Sequence, residues 1–459
     1  MKQPNKGGRV SSRAENGAAV EDNRPPASAF WFGDLPKGWE TRRIGSLFSE
    51  RSVKVSDKEY APLSVTREGI LPQLEHAAKS NDGDNRKLVR IGDFVINSRS
   101  DRKGSCGVSS LDGSVSLISI VLEPRYKIDR NYAHHLLRSQ PFSEEFYHNG
   151  RGIVGDLWTT RYSEMKTILL PLPPIPVQRR IVAFLDEKTA AMERLVTIWK
   201  KEISELEELK KAIIHRAVTR GIRETGGRVS SRAENGAAAV DSRPPSSTSW
   251  FGELPQGWAI KRLRHLVNCQ NGLSKGGQYF GHGSPFVSYK DVYDNPVLPE
   301  TPAGLVDSIP EEQSRYSVQY GDIFFTRTSE TIDEVGIASV CLKTIPKATF
   351  AGFVIRCRPR TKDLMPEFSK YCFRNLYVNQ YFAGQMTIVT RASLSQGVLK
   401  QLPVIIPPLP VQREIVAYLD EKCAAIDGAI ANKRKSIEEL TALKSRIIAD
   451  AVTGRMEVK

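Results

Sequence analysis

One long word occurs twice in this chain, and it limits the possible folds more than any other feature. PPIPVQRRIVAFLDEK begins at Pro173 and PPLPVQREIVAYLDEK at Pro407, and one constant offset carries the match without a gap through Gln178/Gln412, Asp186/Asp420, Leu206/Leu440 and Thr219/Thr453. In the first copy Met192, Val196, Trp199, Ile203, Leu206, Ile213 and Ala217 alternate steps of four and three, interrupted only by Lys210. The matching positions of the second copy are Ile426, Ile430, Lys433, Ile437, Leu440, Lys444, Ile447 and Ala451. Such a repeat is the seam of a coiled coil. The prolines ahead of each copy end an extended segment, because proline tolerates only the first turn of a helix and forces its predecessor out of the α region. Each copy is therefore a helical rod, about 60 Å long for roughly 40 residues. A rod with an apolar stripe needs a partner. The economical partner is the other copy.

A second repeat surrounds the first. GGRVSSRAENGAAVEDNRPP near the N-terminus returns as GGRVSSRAENGAAAVDSRPP before the second large segment, and the match continues through Trp31/Trp250, Leu35/Leu254, Gly38/Gly257 and Trp39/Trp258. The chain is a tandem repeat of linker, globular segment and rod. Its expected parts are a flexible basic linker over 1–29, a globular segment over 30–176, a spacer helix over 177–223, a flexible linker over 224–248, a second globular segment over 249–410 and a second spacer helix over 411–459. Flanks that match around centres that have diverged point to recent duplication or recombination, with the centres exchanged or selected for difference. Both centres alternate short strand patterns with turn residues, then supply a helical stretch and a last strand before the prolines. The fold class is α+β, with two long coiled-coil helices in a tandem repeat.

The charge indicates the partner. A formal net charge of +14 over 459 residues suits a polyanion, most simply nucleic acid. The six cysteines form no CxxC pair and point to a reducing compartment without structural zinc. With neither a signal-peptide pattern nor a membrane-length apolar run, a cytoplasmic location is expected. No phosphate loop, dinucleotide fingerprint, nucleophile elbow, HExxH or methyltransferase word is present. A binding protein is favoured over the competing readings of a divergent DNA methyltransferase or nuclease and of a coiled-coil scaffold without sequence preference. His134-His135 is a packed or solvated pair, since neighbours on a helix point in different directions.

Arginine beside small polar residues is the material that grips phosphates or pairs with guanine edges. The first segment offers Arg99, Arg102 and Lys103 in NSRSDRKG, then Arg161 with Trp158 and Tyr162. The second offers Arg327 in TRTS, Arg391, and Asn271, Lys275 and Gln278 in a glycine-rich loop. These are the candidate DNA-binding residues.

The doubled word PPxPVQRxIVAxLDEK, the LPxGW words at Leu35 and Leu254, the GD-plus-apolar words at Gly92 and Gly321 and the two-halves layout resemble the specificity subunit of type I restriction-modification systems. The resemblance implies two target recognition domains, each reading one half of an asymmetric split DNA sequence, separated by two long antiparallel helices with pseudo-twofold symmetry that set the gap between halves. It implies no catalysis and no cofactor in this chain. S-adenosylmethionine would sit on two modification (methyltransferase) subunits, and ATP and magnesium on restriction (translocase and nuclease) subunits. The outer faces of the rods near the prolines, with Gln178, Arg179, Asp186, Gln412, Arg413 and Asp420, would then dock the modification subunits.

Overall fold

The computed structural model describes residues 30–73, 83–125, 128–152, 158–222, 251, 254–329, 334–385 and 392–458. The linkers expected at 1–29 and 224–248 lie outside the described residues, as does Arg391.

The two rods are helices Ile175–Arg220 and Leu409–Thr453. The chain forms two compact units whose boundary cuts across both of them: Met1–Val196 with Ile437–Lys459, and Thr197–Ser436. The six consecutive segments expected from the sequence are thus regrouped, because the apolar end of each rod finds its core among residues remote in the chain.

In the first unit, strands Phe48–Glu50, Ser119–Pro124, Phe94–Asn97 and Cys106–Val108 form a four-stranded sheet in that spatial order. Helices Arg130–Arg138 and Gln140–His148 supply Tyr132, Leu136, Phe142 and Phe146 to its core, joined by Ile181 and Leu185 of the first rod and by Ala451 and Val452 of the second. The single helical stretch expected there is two helices. Ser139 ends one and caps the next, and Pro141 sits in the new first turn where its missing N–H costs nothing. The Tyr132 hydroxyl donates to the carbonyls of Pro171 (3.2 Å) and Val452 (3.1 Å).

The second unit repeats this plan. Strands Val267–Asn271, Val354–Pro359, Ile323–Thr326 and Ala338–Val340 form its four-stranded sheet. Phe368, Cys372, Tyr377 and Phe382 fill its core with Ile415 and Leu419 of the second rod and with Ala217 and Val218 of the first. His215 Nδ1 lies 2.8 Å from Asn375 Oδ1, a polar tie for the same rod end.

Within each unit the rods run antiparallel. In the first, Ile181 and Leu185 share a core with Ala451 and Val452, while Glu193, further along, meets Lys444. In the second, Lys433 reaches Glu202 and Lys210 reaches Asp427, each at 2.6 Å. The three lysines that interrupt the seam are the ones that cross to the opposite rod. A buried aliphatic pair tolerates sliding, whereas a lysine left opposite leucine loses its carboxylate, so these positions select one register.

Two short words also find their purpose. In LPKGW and LPQGW the Trp39 N–H donates to the Pro36 carbonyl and the Trp258 N–H to the Pro255 carbonyl, each 3.1 Å, around Gly38 and Gly257 at φ near +88° and +82°. These turns pack on the glycines that end the rods. A Cβ on Gly454 would come 2.5 Å from Pro36 Cδ, and one on Gly221 would come 3.4 Å from Trp258. In the GD words, Asp93 accepts from the Arg90 N–H (2.9 Å) and the Arg51 guanidinium (2.7 Å); Asp322 accepts from the Gln319 N–H (2.8 Å) and the Arg358 guanidinium (2.7 Å). Each buried carboxylate closes the turn that starts a central strand.

Candidate nucleic-acid interface

The candidate arginines stand where the central strand of each four-stranded sheet runs out. In the first unit, the chain leaves strand Phe94–Asn97, makes a 3-10 turn over Ser100–Arg102 and returns through Gly104 at φ +83°. The turn is held from behind. The Tyr147 hydroxyl donates to the carbonyls of Asn97 (3.0 Å) and Arg102 (3.4 Å), and the Ser100 N–H donates to the Trp158 carbonyl (2.9 Å). Arg99 lies 3.1 Å from Asp101, which orients its guanidinium without removing it from solvent; Arg102, 3.9 Å from the same carboxylate, and Lys103 are exposed. Arg161 is exposed at the start of helix Tyr162–Met165, its backbone N–H donating to Glu164 at 3.2 Å. Arg99 and Arg161, remote in sequence, line one hollow of about 520 Å³ together with Leu117, Ile118 and Tyr162.

In the second unit Arg327 follows strand Ile323–Thr326 directly. Its N–H donates to the Phe353 carbonyl (2.9 Å) and its carbonyl accepts from the Leu394 N–H (2.7 Å), so the backbone is fixed on both sides while the side chain is half-buried. A hollow of about 600 Å³ adjoins it, lined by Tyr289, Lys290, Tyr293, Thr328, Glu334 and Phe353 among others.

The glycine-rich loop divides. Asn271 and Gln278 are exposed, with Asn271 accepting from Gln396 at 2.9 Å. Lys275 does not fit its expected role. Its ammonium donates to the Asp307 carbonyl and pairs with Glu312, each at 2.6 Å, and the side chain is only 15% exposed. That hydrogen bond holds the Glu312 carboxyl below its usual range. Lys275 fastens the loop to helix Pro310–Arg315 and has no charge to spare for a phosphate.

A second correction concerns the rods. Gln178 and Gln412 were expected on an outer docking face, yet both are fully buried. Gln178 Oε1 accepts from the Asp129 N–H (2.7 Å) while its Nε2 donates to the Pro173 carbonyl (2.8 Å). Gln412 Oε1 accepts from the Met365 N–H (2.9 Å) while its Nε2 donates to the carbonyls of Asp363 (2.7 Å) and Pro407 (2.8 Å). Each glutamine satisfies backbone groups where prolines cannot, and ties the rod to the start of a domain helix. Replacing Gln412 by Ala is expected to cost about 1–3 kcal/mol, since it orphans buried polar groups. Thermal unfolding measures this loss, and an unchanged midpoint would remove the glutamine from that role.

The other four rod residues are accessible. Arg179 and Arg413 are exposed. Asp186 is 59% exposed and 3.0 Å from His135 Nε2; Asp420 is 50% exposed and accepts from Lys370 and from the Tyr371 hydroxyl, both at 2.6 Å. The adjacent histidines separate as their helical positions require: His135 reaches this carboxylate, while burial pushes the His134 imidazole down to about 4. Among the described residues no cluster of His, Cys, Asp or Glu is arranged to hold a metal, and no helix is long and apolar enough to cross a membrane.

Comparison with known proteins agrees with this layout. The family model described as the type I restriction modification DNA specificity domain matches residues 255–442. Among curated relatives, the type I restriction enzyme EcoKI specificity subunit of Escherichia coli (strain K12) is 21% identical over 451 residues, covering 92% of this chain and 90% of the relative. The MjaVIII specificity subunit of Methanocaldococcus jannaschii is 22% identical over 439 residues, covering 93% and 94%. A solved chain from work on complex assembly and conformational transition of the type I R-M system shares the fold with a TM-score of 0.65 at 19% identity, over 92% of this chain and 100% of its own length.

Proposed function

We propose, from the chain's similarity to type I restriction-modification specificity subunits, that it binds DNA at an asymmetric, two-part sequence and directs partner subunits to it. The observation that carries this is a repeated frame with unlike contents. Both units hold a four-stranded sheet of the same order whose central strand ends in an arginine-bearing turn, yet the side chains around the two turns differ. One frame with two sets of reading groups suits two different half-sites. The chain itself performs no chemistry in this reading. S-adenosylmethionine belongs to two modification subunits, and ATP and magnesium to restriction subunits.

The test uses the chain together with its modification subunits. Competition between target and random duplexes at moderate salt is expected to show a strong preference for the target, and equal binding would overturn the proposal. Within the target, Arg99→Ala is expected to cost about 1–3 kcal/mol at the first domain's half-site alone, and Arg327→Ala the same at the second's. A uniform loss on every sequence, with a shallower salt dependence, would make either residue a phosphate contact.

Docking of the modification subunits is assigned to the exposed Arg179 and Arg413 with the half-exposed Asp186 and Asp420, one pair near the start of each rod. Charge reversal of both aspartates is expected to weaken assembly measured by gel filtration. Intact assembly would exclude this face.

A further inference from the structure

We infer that Phe353 in the second domain, and Leu117 with Ile118 in the first, are apolar tips that contact bases and set half-site preference. The inference rests on the DNA-reading function above and adds to it the residues that discriminate.

Strand register makes these residues equivalent. Ser119 pairs with Asn97 in the first sheet and Val354 with Thr326 in the second, so the residue just before each second strand stands beside the residue that leaves the first. Ile118 is thereby placed next to Ser98-Arg99, and Phe353 next to Arg327, whose N–H it binds through its own carbonyl at 2.9 Å. Both positions lie in a turn at the corresponding end of the two equivalent sheets.

Both are also apolar and exposed. Phe353 shows 65% of its surface, Ile118 45% and Leu117 40%. A single exposed apolar side chain is ordinary. The same placement in two domains whose sequences otherwise diverge is a repeated feature of the frame, and each instance borders a hollow that mixes apolar and polar groups. Methyl groups of thymine and the faces of bases are the apolar parts of DNA that such a side chain meets, in the groove or between partly unstacked bases.

The second hollow sets two carboxylates, Asp294 and Glu334, against one ammonium, Lys290, a balance that favours bases over phosphates. The rings of Tyr289 and Tyr293 stack with centroids 5.9 Å apart. Glu334 lies between hydroxyls, accepting from Tyr293 at 2.8 Å and from Ser329 at 2.9 Å. A carboxylate repels the DNA backbone but accepts a hydrogen bond from the amino group of cytosine or adenine. In the first hollow the corresponding apolar pair lies with Arg99 and Arg161, whose guanidinium groups suit the two acceptors of a guanine edge. The half-sites should differ accordingly: guanine beside a thymine for the first domain, an amino-bearing base beside an apolar contact for the second.

The experiment measures binding by the chain with its modification subunits to panels of duplexes, each carrying one base change in one half-site. Phe353→Ala is expected to weaken binding to the cognate duplex about tenfold, within the range of one mismatched pair. It should flatten discrimination at one or two positions of the second half-site and leave the first half-site and the salt slope unchanged. Leu117→Ser with Ile118→Ser should do the converse. Glu334→Gln should change the preferred base at one position of the second half-site. If Phe353→Ala retains wild-type discrimination at every second-half position, or loses affinity equally on all sequences, the inference is wrong. Phe353→Leu keeps an apolar tip and should retain most of the preference, which separates a base contact from a folding defect. A wild-type complex that does not discriminate target from random DNA would instead overturn the function on which the inference rests.

Discussion

Ending the chain after Lys444 is expected to unfold the first globular domain, whose own residues lie hundreds of positions earlier, while leaving the second folded. The deleted end contains Ala451 and Val452, both fully buried, and Val458, 9% exposed, all within the first domain's core. It also contains the Val452 carbonyl that accepts from the buried Tyr132 hydroxyl. Each buried valine contributes about 1.5–3 kcal/mol and the alanine less, and whole domains are stable by only about 5–15 kcal/mol. Removing several at once, and exposing the surface they covered, takes most of that margin. Val452→Asp tests the same point without truncation, because an unpaired buried carboxylate costs on the order of 3–5 kcal/mol. Limited proteolysis read by mass spectrometry should show cleavage of the first sheet's strands with the second sheet protected. Val218→Asp should produce the mirror result, since Val218 is fully buried in the second domain's core. Equal damage to both domains by either variant would mean that the rod ends do not belong to separate cores.

The rods were legible in the sequence because one physical period governs them. Every seam position from Met192 to Ala217 and from Ile426 to Ala451 is half-buried or buried, including Lys210, Lys433 and Lys444. What the seam period did not reveal was the destination of the rod ends, since Ala217-Val218 and Ala451-Val452 look like more of the same seam until a globular core is placed beside them. The error at Gln178 and Gln412 has a related cause. A polar residue in a repeated, charged helix suggests an outer face, but proline-rich segments leave backbone groups that only a side chain can satisfy, and glutamine has both the donor and the acceptor for that task. Lys275 misled in the same way: a basic residue in an exposed loop suggested DNA until Glu312, a distant residue in the chain, was found beside it. The strand-end arginines could be singled out as candidates because arginine among Ser, Thr and Asn is a local pattern. Phe353, Leu117 and Ile118 were not singled out because a lone apolar residue in a turn looks like core, and only their exposure in the fold and the strand register beside them set them apart.

Adding one heptad to each rod, after Val196 and after Ser436, is expected to lengthen the gap between half-sites by about three base pairs without changing either half-site. Seven residues add about 10.5 Å of helix, against about 3.4 Å per base pair. The seam requires a heptad because it repeats every 3.5 residues, so seven inserted residues return each apolar position to the interface. The insertion points fall at the boundary between the units, so Glu193–Lys444 keeps its register in one unit, and Glu202–Lys433 and Lys210–Asp427 keep theirs in the other. A heptad added to one rod alone should behave very differently: the partners of the seam lysines can no longer all be met, and the expected result is a destabilised protein that fails to assemble. Sequencing of methylated sites in cells carrying the doubly extended chain measures the gap directly. An unchanged gap would refute the ruler role of the rods. Altered half-sites would show that the rods take part in reading bases, a role that the residues on their accessible faces give no reason to expect.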